Sequence, residues 1–217
     1  MKVLYLLLIL VVVGTGCEKY NLKQPAYLGL NWRFHSTCNS MGNVTIDKGF
    51  FYSKEFTVSG TRQKGSAVEI TKSLPVQKVQ FSIQDDLGIS LDVPMGDYIE
   101  FSLNTIIDKS NNPSIRLEGT YTKGTEVFPL VIEWADTDVL NFKVLNPFSL
   151  KKKKNYKIFI GFDVAKLFLN VSTNVLSSSP TYNENGVPTK KINSVDTPIL
   201  FNQINEQLPN ALLLTVE

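Results

Sequence analysis

The sequence predicts a mainly β protein: an antiparallel two-sheet β-sandwich of Ig-like or transthyretin-like type, closed by a short C-terminal helix. Three observations carry that expectation. Nearly every segment alternates apolar and polar residues with period two, turn chemistry separates the alternating runs, and no long amphipathic helical pattern interrupts them. Spacing of this kind gives about seven to nine strands and argues against βαβ units.

The strands follow in order. Leu28, Leu30, Trp32 and Phe34 point one way, with Gly29, Asn31, Arg33 and His35 opposite. Phe50, Tyr52, Phe56 and Val58 form the next apolar side, against Ser53, Glu55, Thr57 and Ser59, and Lys54 interrupts that side. Pro94 and Gly96 lead into a strand in which Ile99, Phe101 and Leu103 alternate with Glu100, Ser102 and Asn104. The polar run ending at Pro113 is a loop. Ile115, Leu117 and Tyr121 then alternate with Arg116, Glu118, Thr120 and Thr122. Lys123-Gly124 between two β-rich runs is a hairpin signal, because glycine takes positive φ freely. Tyr156, Ile158, Ile160 and Phe162 close the series, and Asp163 is placed to cap a turn or two of helix. Residues 173–217 are expected to form an irregular tail ending in a short helix that packs on the sandwich. Thr197 is its N-cap candidate and Pro198 its first residue, with Ile199, Phe201, Ile204 and Leu208 covering one side.

The first residues have a different character. Met1-Lys2 precede an unbroken apolar run from Val3 to Val13, then Gly14-Thr15-Gly16 and Cys17. A positive start, a short apolar stretch and small residues describe a secretory signal, whereas a membrane-spanning helix needs about 20 apolar residues. The small residues leading into Cys17 resemble a bacterial lipobox, with Gly14 standing where Leu is commonest. The expected organisation is a lipoprotein signal peptide at 1–16, an anchor linker at 17–25, the β-sandwich at 26–172 and the tail at 173–217. On this reading Cys17 is the lipidation site, carrying palmitate-type acyl chains, and Cys38 is an unpaired thiol. The alternative is an ordinary signal with Cys17 bonded to Cys38, which an oxidising compartment permits.

Composition narrows the function. The formal net charge is +2 over 217 residues, which argues against nucleic-acid binding. The one concentrated charge, Lys151 to Lys154, reads first as a solvated turn and second as a contact for lipid headgroups.

"LDVPMGDYIEFSLNTIID", "PSIRLEGTYTKG" and "YKIFIGFDVAKLF" carry a resemblance to uncharacterised Bacteroidetes-type lipoproteins with a β-sandwich domain of unknown function. The matching positions are Pro94, Gly96 and Tyr98, then Leu117, Gly119 and Tyr121, then Phe162 and Asp163. The resemblance implies that fold and a cell-envelope location, and it implies no activity.

Residues with chemical potential are few. His35 is the only histidine, so any Ser-His or Cys-His mechanism would need it. Paired with Cys38 it falls short of the three or four ligands of a metal site. Glu100, Glu118 and Glu133 lie on polar strand sides, where solvated acids belong. Asn183 to Gly186 resembles a calcium loop without its closing glutamate and is read as a turn. Trp32 and Trp134 are in phase with apolar neighbours and are read as core. The expectation is therefore an outer-membrane lipoprotein, periplasmic or surface-facing, bound to the membrane through its lipid. Its domain is a binding or structural module with a glycan or envelope protein as possible partner. No catalytic residue, cofactor or metal is expected. The alternative is a carbohydrate-binding accessory of a glycan-uptake system.

Overall fold

The structure, a computed structural model, describes residues 25–34, 43–144 and 146–217. Their strands are β1 (Pro25–Arg33), β2 (Val44–Arg62), β3 (Val68–Phe81), β4 (Gln84–Pro94), β5 (Gly96–Ile107), β6 (Ile115–Lys123) and β7 (Glu126–Trp134). Then come β8 (Val139–Lys143), β9 (Phe148–Leu150), β10 (Asn155–Phe162), β11 (Tyr182–Glu184), β12 (Val187–Ile192) and β13 (Leu212–Val216). Three helices, α1 (Val164–Leu167), α2 (Thr173–Ser178) and α3 (Pro198–Ala211), complete the described elements. The protein is mainly β and has two sheets. The smaller has the order β13-β10-β1-β4. The larger runs β11-β12-β7-β6-β2-β5-β8, with β3 also on β2 and β9 also on β5, and it curls into a half-barrel.

Most neighbours are antiparallel, as the alternation predicts. Two pairs are not: β1 runs parallel to β10 and β12 parallel to β7. Period-two patterning reports which face is buried and does not fix the direction of each individual pair, so the wholly antiparallel expectation is corrected at these two.

The 19-residue β2 organises the larger sheet. Its segment Gly49–Phe51 pairs with β3 and β6 at once, and Glu55–Gly60 pairs with β3 and β5. A strand has two edges, so β5 and β6 share one of them in succession. The sheet forks at Tyr52, whose N–H donates to Ser114 O and whose carbonyl accepts from Asp108 N, both at 2.9 Å. A register shift between Ser53 and Glu55 leaves Lys54 unpaired and reverses the inward side. Phe51, Ser53, Phe56 and Val58 are consequently the buried residues. Phe50 and Tyr52, expected inside, lie half-buried on the other face. A second shift, opposite Thr61 and Arg62, skips Ile99, which is 51% exposed and not a core residue. The inward positions there are Tyr98 and Phe101.

The two sheets meet around Trp32. Its indole stacks on Phe81 with centroids 3.6 Å apart, and Phe34, Phe51 and Phe162 surround it. These residues come from β1, β3, β2 and β10 and the stretch just after β1, so one aromatic cluster joins both sheets. The resemblance motifs have structural work. The Tyr98 hydroxyl donates to Pro94 O at 2.6 Å, closing the turn before β5 in the manner of a tyrosine corner. Burial pushes that phenol up to about 12 against the opposing charge of Arg62. Gly119 permits close approach of β6 to β2, since a Cβ there would lie 1.8 Å from Thr45 O. The β6–β7 hairpin turns at Gly124 with φ 61°, as Lys123-Gly124 predicts.

Asp163 caps α1, accepting from Lys166 N at 3.1 Å. Helix α3 starts with Pro198 at its first turn, as expected. The Thr197 hydroxyl makes no cap bond; it accepts from Asn193 N at 3.1 Å. The buried stripe is Leu200, Phe201, Ile204, Leu208 and Ala211, while Ile199 is 73% exposed. Trp134 Nε1 donates to Asn205 Oδ1 at 3.1 Å and pins the helix to β7. The expected irregular tail is corrected on one point: residues 173–217 supply β11 and β12 to the larger sheet and β13 to the smaller. Phe81→Ala should destabilise the fold by about 3–5 kcal/mol, because it empties the ring space against Trp32. The measurement is urea unfolding followed by tryptophan fluorescence, with a lower midpoint and unchanged slope.

Candidate functional site

The expected lipidation site Cys17, the signal at 1–16, and His35 with Cys38 lie outside the described residues, as does the linker up to residue 24. The site geometry therefore rests on the two sheets themselves.

A groove of about 1010 Å³ lies between the edge strands β8 and β13. Hydrogen-bond parity sets its chemistry. Glu217 exchanges both backbone bonds with Lys157, and Asp163 N donates to Ala211 O. The odd-numbered residues of this stretch thus face β10, and Leu212, Leu214 and Val216 turn their backbone groups to the free edge. On β8, Val144 N donates to Phe101 O and Ile107 N to Asp138 O, so Val139, Asn141 and Lys143 face outward in the same way. Leu212 and Leu213 are half-buried on this wall. Among the described residues the groove combines an apolar lining with unpaired strand edges, a combination suited to an extended chain. Among the described lining residues the only ionisable side chains are Lys143 and Lys166.

The titratable side chains gather elsewhere, on the solvent side of the larger sheet. Arg116 on β6 donates from Nε to Glu118 at 2.7 Å, from Nη1 to Glu133 on β7 at 2.6 Å, and from Nη2 to Glu184 on β11 at 2.5 Å. Lys191 on β12 meets the other Glu133 oxygen at 3.0 Å, and Lys48 on β2 meets Glu118 at 3.2 Å. Three carboxylates are thus matched by three cations. Burial pushes the Glu118 carboxyl up, but the bonds and charges of Arg116 and Lys48 prevail and hold it below the usual range. Burial likewise works against the Arg116 charge, and Glu184 and Glu118 overcome it, so the guanidinium stays protonated. Glu100 does not join the group; it is exposed and accepts from Thr61 Oγ1 at 3.1 Å.

Sequence reading places Glu118 and Glu133 on polar faces correctly, and their convergence on Arg116 was missed. The available signal was Arg116-x-Glu118, two residues apart on one strand face. Glu184 gave none, since the β11–β12 hairpin alone brings it there. Asn183–Gly186 spans the end of β11 and the Asn185-Gly186 turn of that hairpin, with Gly186 N donating to Asn183 Oδ1 at 2.7 Å. Among the described residues no three His, Cys, Asp or Glu side chains are grouped to hold a metal ion.

Trp32 and Trp134 are 0% and 1% exposed, core residues as predicted. Lys190 is buried on β12, where its ammonium donates to the carbonyls of Ser177 and Ser179 at the end of α2. Burial and the nearby Lys123 charge push its pKa down. No family model, curated protein or solved structure matches the chain.

Arg116→Ala should cost about 2 kcal/mol, between the values for exposed and buried pairs, since it leaves three carboxylates facing one another. Denaturant unfolding reads this directly. The lowered Glu118 pKa makes its stabilisation complete above the ordinary glutamate range and lost as pH falls through the folded-state value. Glu118→Gln should therefore lose less stability on acidification than the parent chain, in unfolding midpoints compared at neutral and acid pH.

Proposed function

We propose that this protein is a lipid-anchored envelope protein, held in the outer membrane through Cys17, whose two-sheet domain is a non-catalytic binding module facing the periplasm or the exterior. The groove between β8 and β13 carries the binding part of this reading: among the described residues it offers apolar surface and open strand edges. The anchoring part is supported by the apolar run and small residues before Cys17. Among the described residues no helix is long and apolar enough to cross a membrane.

The fold is read here as a β-sandwich of Ig-like or transthyretin-like kind. Support comes from two sheets sharing one core and from mainly antiparallel pairing. The half-barrel curl and the two parallel pairs are its departures from the simple form.

A glycan-binding accessory role is the second reading. Burial removes both tryptophans from any sugar-stacking surface. Phe50 and Tyr52 favour it instead, as an aromatic pair with ring centroids 5.6 Å apart on the solvent side of β2. Lys78 lies over the Phe50 ring at 3.8 Å and covers part of that surface.

Intact mass of the N-terminus from a native membrane fraction tests the anchor. The expected product begins at Cys17 and carries a diacylglyceryl group plus an amide-linked acyl chain. An unacylated product with Cys17 bonded to Cys38 would overturn it.

A further inference from the structure

The Lys151–Lys154 turn lies beside the first described residues of the domain. Lys153 N donates to Pro25 O and Tyr27 N donates to Lys154 O, both at 3.0 Å. All four lysine side chains are exposed. Lys151 and Lys152 join Lys64 around a recess of about 520 Å³ that Met95 and Asp97 also line. None of these five lysines forms an ion pair among the described residues. The acids beside them are Asp97, which accepts from Ser149 Oγ at 2.5 Å, and Asp92, paired across β1 with Tyr27. Five lysines thus gather at this end, and Asp97 is the one acid among the residues that line the recess. Tyr27 adds an aromatic ring that is 41% exposed, the side-chain type that favours the headgroup layer.

We propose that this end of the domain is a docking surface for an anionic lipid bilayer, with Lys64 and Lys151–Lys154 contacting headgroup phosphates and Tyr27 seated at the interface. The proposal deepens the anchored reading and takes its orientation from it. The chain from Cys17 to Pro25 spans at most about 28 Å, less than the diameter of such a domain, on the order of 40 Å. An acylated Cys17 would hold the Pro25 end near the bilayer, and the lysines at that end would set which way the domain faces. Charge complementarity argues for lipid as the occupant: clustered unpaired lysines contribute about 1 kcal/mol each near an anionic surface.

The test uses the full chain and its Lys151→Gln/Lys152→Gln/Lys154→Gln variant. Lys153 is kept because it holds the turn at φ 54°. The hydrogen bonds anchoring this turn to Pro25, Tyr27 and Tyr156 use its backbone groups, so the variant keeps them. Binding is measured by co-sedimentation with neutral phosphatidylcholine vesicles and with vesicles containing phosphatidylglycerol. The apolar run at Val3–Val13 and any acyl groups bind both alike, so the ratio isolates charge. The parent chain should prefer the anionic vesicles, and that preference should fall on the order of 100-fold in the variant. Raising the salt concentration should erase it in the parent chain, a readout that needs no variant. Equal binding to both vesicles by the parent chain, or a preference unchanged in a folded variant or at high salt, would overturn the proposal. An unacylated Cys17 alongside an intact anionic preference would overturn the anchor alone.

Discussion

One strand has to satisfy three partners, and the larger sheet follows from how it does so. β2 is hydrogen-bonded to β3 along one edge, and its other edge is divided between β6 and β5. A regular pleated strand of that length would keep one face inward throughout and bend little beyond its natural twist. The register shifts release it from both constraints. They bend the strand, curl the sheet, and choose Phe51 over Phe50 for the core. At the fork, where two strands diverge from a third, polar groups would be stranded without water. Ser53 and Thr105 meet there, both fully buried, through a 2.7 Å hydroxyl pair, and so cancel the cost locally.

The charged group around Arg116 is best understood as fastening. Its members come from β2, β6, β7, β11 and β12, and Glu184 and Lys191 belong to the last part of the chain. Partial burial raises the cost of separating these charges, so the hairpin is held by mutual neutralisation in addition to its short hydrogen-bonded contact with β7. Lys190 acts on the other side of the same strand, tying α2 down by its terminal carbonyls.

Much of this was legible from residue order. Alternation marked β1, β6 and β10 with the correct inward side, and turn residues located the β6–β7 hairpin, the cap at Asp163 and the start of α3. Errors concentrate at bulges. A single inserted residue inverts everything after it, and Lys54 on an otherwise apolar side was the trace such an insertion leaves. Strand direction and partner choice were illegible for a different reason: they depend on contacts between distant segments. The tail illustrates this. Val187–Ile192 and Leu212–Val216 are short, and their neighbours β11, β7 and β10 make them strands. The groove shares that origin, being the space between two edges whose positions no local pattern encodes.

The parallel pairing of β1 with β10 has a temporal consequence. The earliest described strand lacks one flank until most of the chain has been made, and β10 in turn waits for β13. The smaller sheet therefore closes last, through contacts remote in sequence, which slows folding. A polypeptide built this way cannot complete the smaller sheet until β13 is available to pair with β10.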